Sequence, residues 1–331
     1  MVSKAMIMAA GVGSRLDPLT KDVPKPLVPI ANRPVMDILL ERLLEISIKN
    51  VVANTHYLSE KITSRYKNNK MGINFDYVYE ETLSGTAGGV KKCQYFFDEG
   101  EDFLIMSADG LSNADLKEAI LSHKTSGTIA SIGIKKIAPE EIPNFGVVVT
   151  DEQGFISEFQ EKPSIQEAKS DYINTGIYIF NYKIFDYIPE STFYDFAKNV
   201  FPSLLSSGIK INTFPVKAYW SDIGTIEQYI QSTKDLFENL YDINHSGIIK
   251  TSKGAYIADD SIIPASTTFI GFNTIGKDCE IGENVTLNNC IIWDNVEIKN
   301  DLTLENCIIA SGCKINKNIS NERLGPNQTV S

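Results

Sequence analysis

The chain has 331 residues and 43% apolar content, enough for one large domain or a large one with a smaller companion. Its 42 acidic residues outnumber 31 basic ones, giving a formal net charge of -11. That excludes a protein that coats nucleic acid through its phosphates, although a local basic pocket can sit in an acidic protein. No apolar run approaches a membrane span, and the short apolar stretch after Met1-Val2-Ser3-Lys4 does not read as a secretory signal. Five cysteines without a C-x-x-C pair argue against a disulfide framework or zinc site and for a reduced, cytoplasmic setting.

The first two-thirds alternate β-branched runs with amphipathic segments. Residues 4–9 read as a strand ending in a glycine-rich loop. A helix follows over 34–46, with Pro34 near its start and Val35, Ile38, Leu39, Leu43 and Ile46 on one face. Strands are expected over 51–54, 73–79, 103–106 and 129–134, with helices over 59–67, 87–97 and 114–123 between them. This rhythm predicts an α/β fold, a Rossmann-like and mostly parallel sheet flanked by helices. Ligands of such sheets sit beyond the carboxyl ends of the strands, where the loops after Ala9 and Met106 fall. Further on, 155–160, 172–180 and 209–215 read as strands, 194–205 as a helix and 226–240 as a closing helix.

From about Tyr256 the helical period disappears. Apolar residues fall in i, i+2 pairs: Cys279/Ile281, Val285/Leu287, Cys290/Ile292, Val296/Ile298, Leu302/Leu304, Cys307/Ile309 and Cys313/Ile315. The pairs are spaced 6, 5, 6, 6, 5 and 6 residues apart, and the text repeats after 17, Asn289-Cys290-Ile291-Ile292 against Asn306-Cys307-Ile308-Ile309. A period near six that closes every three units predicts a triangular parallel β-helix of hexapeptide type. Stacked coils supply its core, and four cysteines fill it as small apolar residues. The chain therefore divides into a domain over 1–240 and a β-helix over 241–331.

The chemistry gathers in the first loop, Ala9-Ala10-Gly11-Val12-Gly13-Ser14-Arg15-Leu16-Asp17-Pro18-Leu19-Thr20, followed by Pro24-Lys25-Pro26-Leu27-Val28-Pro29. Two glycines after a strand let backbone amides turn towards an anion. Arg15 can fork onto phosphate oxygens, and Lys25 is a cation held between two stiffening prolines. A dinucleotide-binding G-x-G-x-x-G would need glycine at Leu16, and no Walker loop occurs.

Gly11-x-Gly13-x-Arg15-Leu16-x-Pro18-Leu19-Thr20 with Pro24-Lys25-Pro26-Leu27 resembles the signature of the sugar-1-phosphate nucleotidylyltransferases. The resemblance runs in order to about residue 240. Gly85-Thr86-Ala87-Gly88 is similar to the family's second nucleotide loop. Phe145-Gly146-Val147-Val148, Glu161-Lys162-Pro163 and Asn174-Thr175-Gly176 are similar to its sugar-phosphate side. Asp109 and the Asp222 of Trp220-Ser221-Asp222-Ile223-Gly224 stand where the family holds a metal. The resemblance implies transfer of a nucleoside monophosphate from a nucleoside triphosphate to a sugar-1-phosphate, with Mg²⁺ on Asp109 and Asp222. It implies that Ala10, Gly11, Gly13, Arg15, Lys25, Gly85, Thr86 and Gly88 bind the nucleotide. Gly146, Glu161, Lys162 and Asn174 would bind the sugar phosphate, and Arg15, Lys25, Asp109, Lys162 and Asp222 would carry the reaction. Alone, several of these read more simply: Asp109-Gly110 as a turn, Glu161-Lys162-Pro163 as a solvated loop, Asp222 as a cap for the 226 helix, Tyr219-Trp220 as packing.

Within the family the chain is most similar to bacterial mannose-1-phosphate guanylyltransferase-like enzymes with a C-terminal left-handed β-helix, through 52–58, 85–88 and Tyr194-Asp195-Phe196-Ala197-Lys198. That implies GTP and mannose-1-phosphate as substrates. Asp17 and Gly110 depart from the family's usual residues, so uridylyl, thymidylyl or cytidylyl transfer, and a heptose in place of mannose, stay open. A non-catalytic sugar-nucleotide-binding regulator is a further reading, against which stand the five charged residues. His56, His123 and His245 lie outside the repeat, so acyl transfer by the β-helix is not expected; it reads as structural or as a homo-oligomer contact. No nucleic-acid or membrane partner is expected.

Overall fold

A computed structural model describes residues 2–69, 71–251 and 254–331. By its contacts the chain forms two compact units. One is the stretch up to Gly11 with Leu39–Ser221, the other Val12–Ile38 with Asp222–Ser331.

The first unit is built on a nine-stranded sheet. Lys4–Met8 lies between Asn50–Thr55 and Asp102–Ser107, parallel to both, and Asn74–Tyr79 adds a parallel strand outside Asn50–Thr55. These central strands are continuous apolar runs because both faces are covered; Ala5, Met6, Ile7, Val51, Val52, Leu104 and Ile105 are all buried. On the other side the sheet turns antiparallel. Tyr172–Asn181 runs against Asp102–Ser107 and Ala130–Lys136, and Gly146–Thr150 and Ile156–Glu161 continue it. Asn212–Pro215 then adds parallel to Ala130–Lys136. The parallel core thus carries an antiparallel flank, and Gly146–Thr150 is a strand that periodicity alone did not mark.

Helix ends differ from the expected bounds for local reasons. The helix expected over 114–123 runs Leu116–Ser126, because the Asp115 carboxylate caps it by accepting from Glu118 N and Gly127 ends it in a left-handed conformation. The segment expected to be helical from Tyr194 instead begins with Asp195 as cap to a π turn, Phe196–Val200, which leads into an α-helix over Phe201–Ser206. Pro202 has no amide to donate to the preceding turn.

The second unit contains the parallel β-helix. Three stacks of short strands repeat around the coil, and Ile275, Ile292, Ile309 and Leu324 are successive rungs of one of them. The four expected cysteines line its interior with the paired aliphatics, all buried among one another except Leu302, which is partly buried against them. The offset between coils is 17 residues at Leu287↔Leu304 but 15 at Leu304↔Ile319, so the last coil has a shorter corner. Helix Ile226–Phe237 belongs to the same unit. Among the described residues no helix is long and apolar enough to cross a membrane.

Candidate active site

In the first unit the strand ends at Met8 and the chain enters the loop over a buried polar network. Ala9 N donates to Asn54 Oδ1 at 3.0 Å, and Asn54 Nδ2 donates to Glu80 Oε1 at 2.7 Å. Glu80 is 1% exposed, and its other oxygen takes Lys92 Nζ at 3.2 Å together with the amide and hydroxyl of Ser84. Buried charge demands such pairing. Sequence reasoning missed these four residues; the one signal was Asn54, a polar residue ending the apolar run Val51-Val52-Ala53.

In the second unit the loop folds on itself. Gly13 is left-handed, φ 73°, and its carbonyl accepts from Leu16 N and from the Thr20 hydroxyl, each at 3.0 Å. A Cβ at Gly13 would stand 3.0 Å from Lys25 Cβ, so the glycine lets the Lys25 turn close onto the Gly13–Thr20 turn. Lys25–Leu27 is a 3₁₀ turn, with Leu27 N bonded to Pro24 O and Val28 N to Lys25 O. Arg15 is exposed and Lys25 half-buried. Asp222 joins them: a Cβ at Gly224 would lie 2.9 Å from Asp222 Oδ2 and 3.4 Å from Arg15 Nη2. Thr225, not Asp222, caps helix Ile226–Phe237, its hydroxyl accepting from Gln228 N. The simpler reading of Asp222 as a helix cap is therefore set aside. This unit gathers Gly13, Arg15, Lys25 and Asp222.

The sugar-phosphate candidates lie in the first unit on three neighbouring strands. Gly146 is paired with Glu161, and Ile173 with Val147, which puts Asn174 beside them. Asn174 Nδ2 donates to Tyr178 OH at 2.8 Å and its oxygen accepts from Gly176 N. Burial pushes the Tyr178 phenol above its usual range, so it stays neutral and can accept this bond. Lys162 follows Glu161 with φ 48°, a left-handed conformation that a lysine adopts at a cost of about 1–3 kcal/mol. Asp109 lies half-buried in the turn between Asp102–Ser107 and Gly110–Ser112. Trp220 packs edge-on to Phe145 and donates its indole N–H to Thr175 O at 3.0 Å, which accounts for it as packing.

Gly85, Thr86 and Gly88 have internal partners as well. Gly85 has φ 80°, and a Cβ there would meet Tyr194 O at 2.4 Å. Ala87 N and Gly88 N both donate to that carbonyl at 3.0 Å, while the Thr86 hydroxyl donates to Asp195 Oδ2 and accepts from Phe196 N. Gly85 is thus needed for close approach to Tyr194, and Gly88 for close approach to Ser84 and Thr192.

Among the described residues no cluster of three or more His, Cys, Asp or Glu forms a metal cage. Asp109 in the first unit and Asp222 in the second are each half-buried and each offer a carboxylate, the hard-oxygen type of ligand that Mg²⁺ takes.

A glycine loop after a central strand, with an arginine, a lysine and an aspartate gathered beside it, belongs to proteins that handle phosphates. Residues 4–239 match the family model described as nucleotidyl transferase, and 251–327 match one described as GMPPB C-terminal domain. The chain belongs to the nucleotidyl transferase family and is an enzyme of that class. It is 34% identical to a UTP--glucose-1-phosphate uridylyltransferase of Synechocystis, over 88% of this chain and 83% of that one. It is 29% identical to a mannose-1-phosphate guanylyltransferase of Mycobacterium tuberculosis, over 88% and 80%. A solved UDP-glucose pyrophosphorylase in complex with UDP-glucose shares the fold, with TM-score 0.63 at 21% identity over 72% of this chain and 99% of that one.

Proposed function

We propose that the chain joins a nucleoside triphosphate to a sugar-1-phosphate, giving a nucleoside-diphosphate sugar and pyrophosphate, with GTP and mannose-1-phosphate as its substrates. The observation that carries the chemistry is the gathering of Arg15, Lys25 and Asp222 around the turns at Gly13 and Gly224. The match of 251–327 to the GMPPB C-terminal domain, beside the guanylyltransferase relative, supports guanine and mannose.

A sugar-phosphate oxygen attacks the α-phosphorus, the bond to the bridging oxygen breaks, and pyrophosphate leaves with that electron pair. Two anions must meet, so positioning and charge neutralisation dominate. Arg15 and Lys25 would hold the triphosphate and the departing pyrophosphate, and Ala10, Gly11 and Gly13 would offer it backbone amides. Gly85, Thr86 and Gly88 border the nucleotide. Lys162 holds the sugar phosphate, while Glu161 and Asn174, beside Gly146, orient sugar hydroxyls. Asp109 and Asp222 would hold Mg²⁺, which supplies neutralisation of the phosphate charge.

The test is pyrophosphate release across a panel of triphosphates and sugar-1-phosphates, with and without Mg²⁺. Turnover highest for GTP with mannose-1-phosphate is expected. A preference for UTP with glucose-1-phosphate would favour the second reading, which the 34% identical uridylyltransferase supports. Turnover without added metal and in the presence of a chelator would remove Mg²⁺ from the proposal.

A further inference from the structure

We propose that Tyr229 and Trp293 are positioning residues that fix the Arg15/Lys25 loop onto the β-helix through a buried chain of hydrogen bonds. The inference rests on the reading of Arg15 and Lys25 as the pyrophosphate grip.

Trp293 Nε1–H donates to Tyr229 OH at 2.9 Å, and the Tyr229 hydroxyl donates to Pro29 O at 2.7 Å. The rings meet edge to face, 6.5 Å apart at 84°. Both side chains are buried. Tyr229 lies on helix Ile226–Phe237, which starts just after Asp222-Ile223-Gly224. One phenol therefore ties together the coil bearing Trp293, the helix that follows Asp222, and the end of the Lys25 loop.

The anchor is stiff. Pro29 lies four residues after Lys25, and Pro24, Pro26 and Pro29 each fix φ. Beyond Val28 the chain turns back as a two-strand ladder, Pro29–Ile30 against Arg33–Pro34. One more tether follows the same seam, Asn32 Nδ2 donating to Ile275 O, and Pro18 approaches closely there, since a Cβ at Gly325 would lie 3.1 Å from Pro18 O. Ile275, Trp293 and Gly325 stand at or one residue beyond the rungs Ile275, Ile292 and Leu324 of a single stack. The loop is thus laid along one corner of the β-helix and pinned at separate coils. A tyrosine buried only for packing could give its hydroxyl to its own helix. This one is bonded to the loop 200 residues away.

The test uses the full-length protein and inorganic pyrophosphate with Mg²⁺ as probe, by calorimetric titration. Tyr229→Phe keeps the ring and removes the bridging oxygen. Asn32→Gly removes a different tether and keeps the left-handed backbone that Asn32 adopts (φ 69°), so it serves if the buried variant folds poorly. Each is expected to weaken pyrophosphate about three- to tenfold, the effect of one lost hydrogen bond. Affinity for the sugar-1-phosphate should change less than about twofold. Trp293→Phe combined with Tyr229→Phe should match Tyr229→Phe alone, because the indole acts through the phenol; an added loss would remove Trp293 from the chain. Lys25→Ala separates the two claims. If it leaves pyrophosphate affinity unchanged, the reading of the loop as grip fails. If it weakens binding while Tyr229→Phe and Asn32→Gly lower only the melting temperature, the positioning role is overturned.

Discussion

Gly11 and Gly13 are two residues apart, yet the same substitution should act on them in opposite ways. At Gly11 the backbone is not left-handed, and a Cβ would meet nothing within 4 Å. Alanine there restricts the unfolded chain and collides with no part of the protein, so Gly11→Ala should raise stability by about 0.4–1 kcal/mol. At Gly13 the φ of 73° costs an alanine about 1–2 kcal/mol. Its Cβ would also stand 3.0 Å from Lys25 Cβ, which must yield by a few tenths of an ångström. After the same unfolded-state gain, Gly13→Ala should lose about 1 kcal/mol net. Urea unfolding followed by circular dichroism reads both. Binding should follow another order. If phosphate approaches the Gly11 amide, the open space beside that glycine is where the ligand goes. Gly11→Ala should then weaken pyrophosphate at least about tenfold, roughly 1.4 kcal/mol, in a protein no less stable than before. A Gly11→Ala enzyme that is stable and binds pyrophosphate normally would refute the argument that this glycine serves close approach to phosphate.

Asp222→Asn should lower Mg²⁺-dependent turnover by ~10²–10⁴-fold with the circular dichroism spectrum unchanged; near-normal rates would end the two-aspartate proposal. His123 is buried, with Nδ1 2.8 Å from Ser131 Oγ, and burial holds its pKa below the usual value against the opposing pull of Asp102. The unfolded chain therefore takes up this proton first as pH falls below about 6.5. The contribution of neutral His123 is complete above that pH and is lost below it, by at most about 1.4 kcal/mol per pH unit. Melting temperatures at pH 7.5 and 5.5 should fall more for the native protein than for His123→Gln, and equal slopes would dismiss the assignment.

The β-helix was legible because its contacts recur at a fixed offset. Cys290 and Cys307 occupy the same place on successive coils, so the tertiary pattern is written directly into the text. The loop from Ala9 to Pro29 could be read as a candidate phosphate cradle because its glycines, prolines and cations are close in sequence. What escaped depends on distant partners. Asn54, Glu80 and Lys92 meet only because the sheet places their elements together, and Tyr229 reaches Pro29 across the chain. The left-handed backbone at Lys162 carries no glycine or asparagine to announce it. One miss was avoidable: Thr225-Ile226-Glu227-Gln228 spells a capping box, which would have removed Asp222 from consideration as a cap.

The sequence holds two tryptophans, and each compact unit has one. Trp220 donates to Thr175 O in the first, and Trp293 to Tyr229 in the second. The molecule therefore carries one tryptophan fluorophore per unit. With Trp220 replaced by phenylalanine, the remaining tryptophan emission comes from the junction between β-helix and phosphate loop alone. With Trp293 replaced, it comes from the sheet-built unit, so the unfolding of each can be followed by its own light.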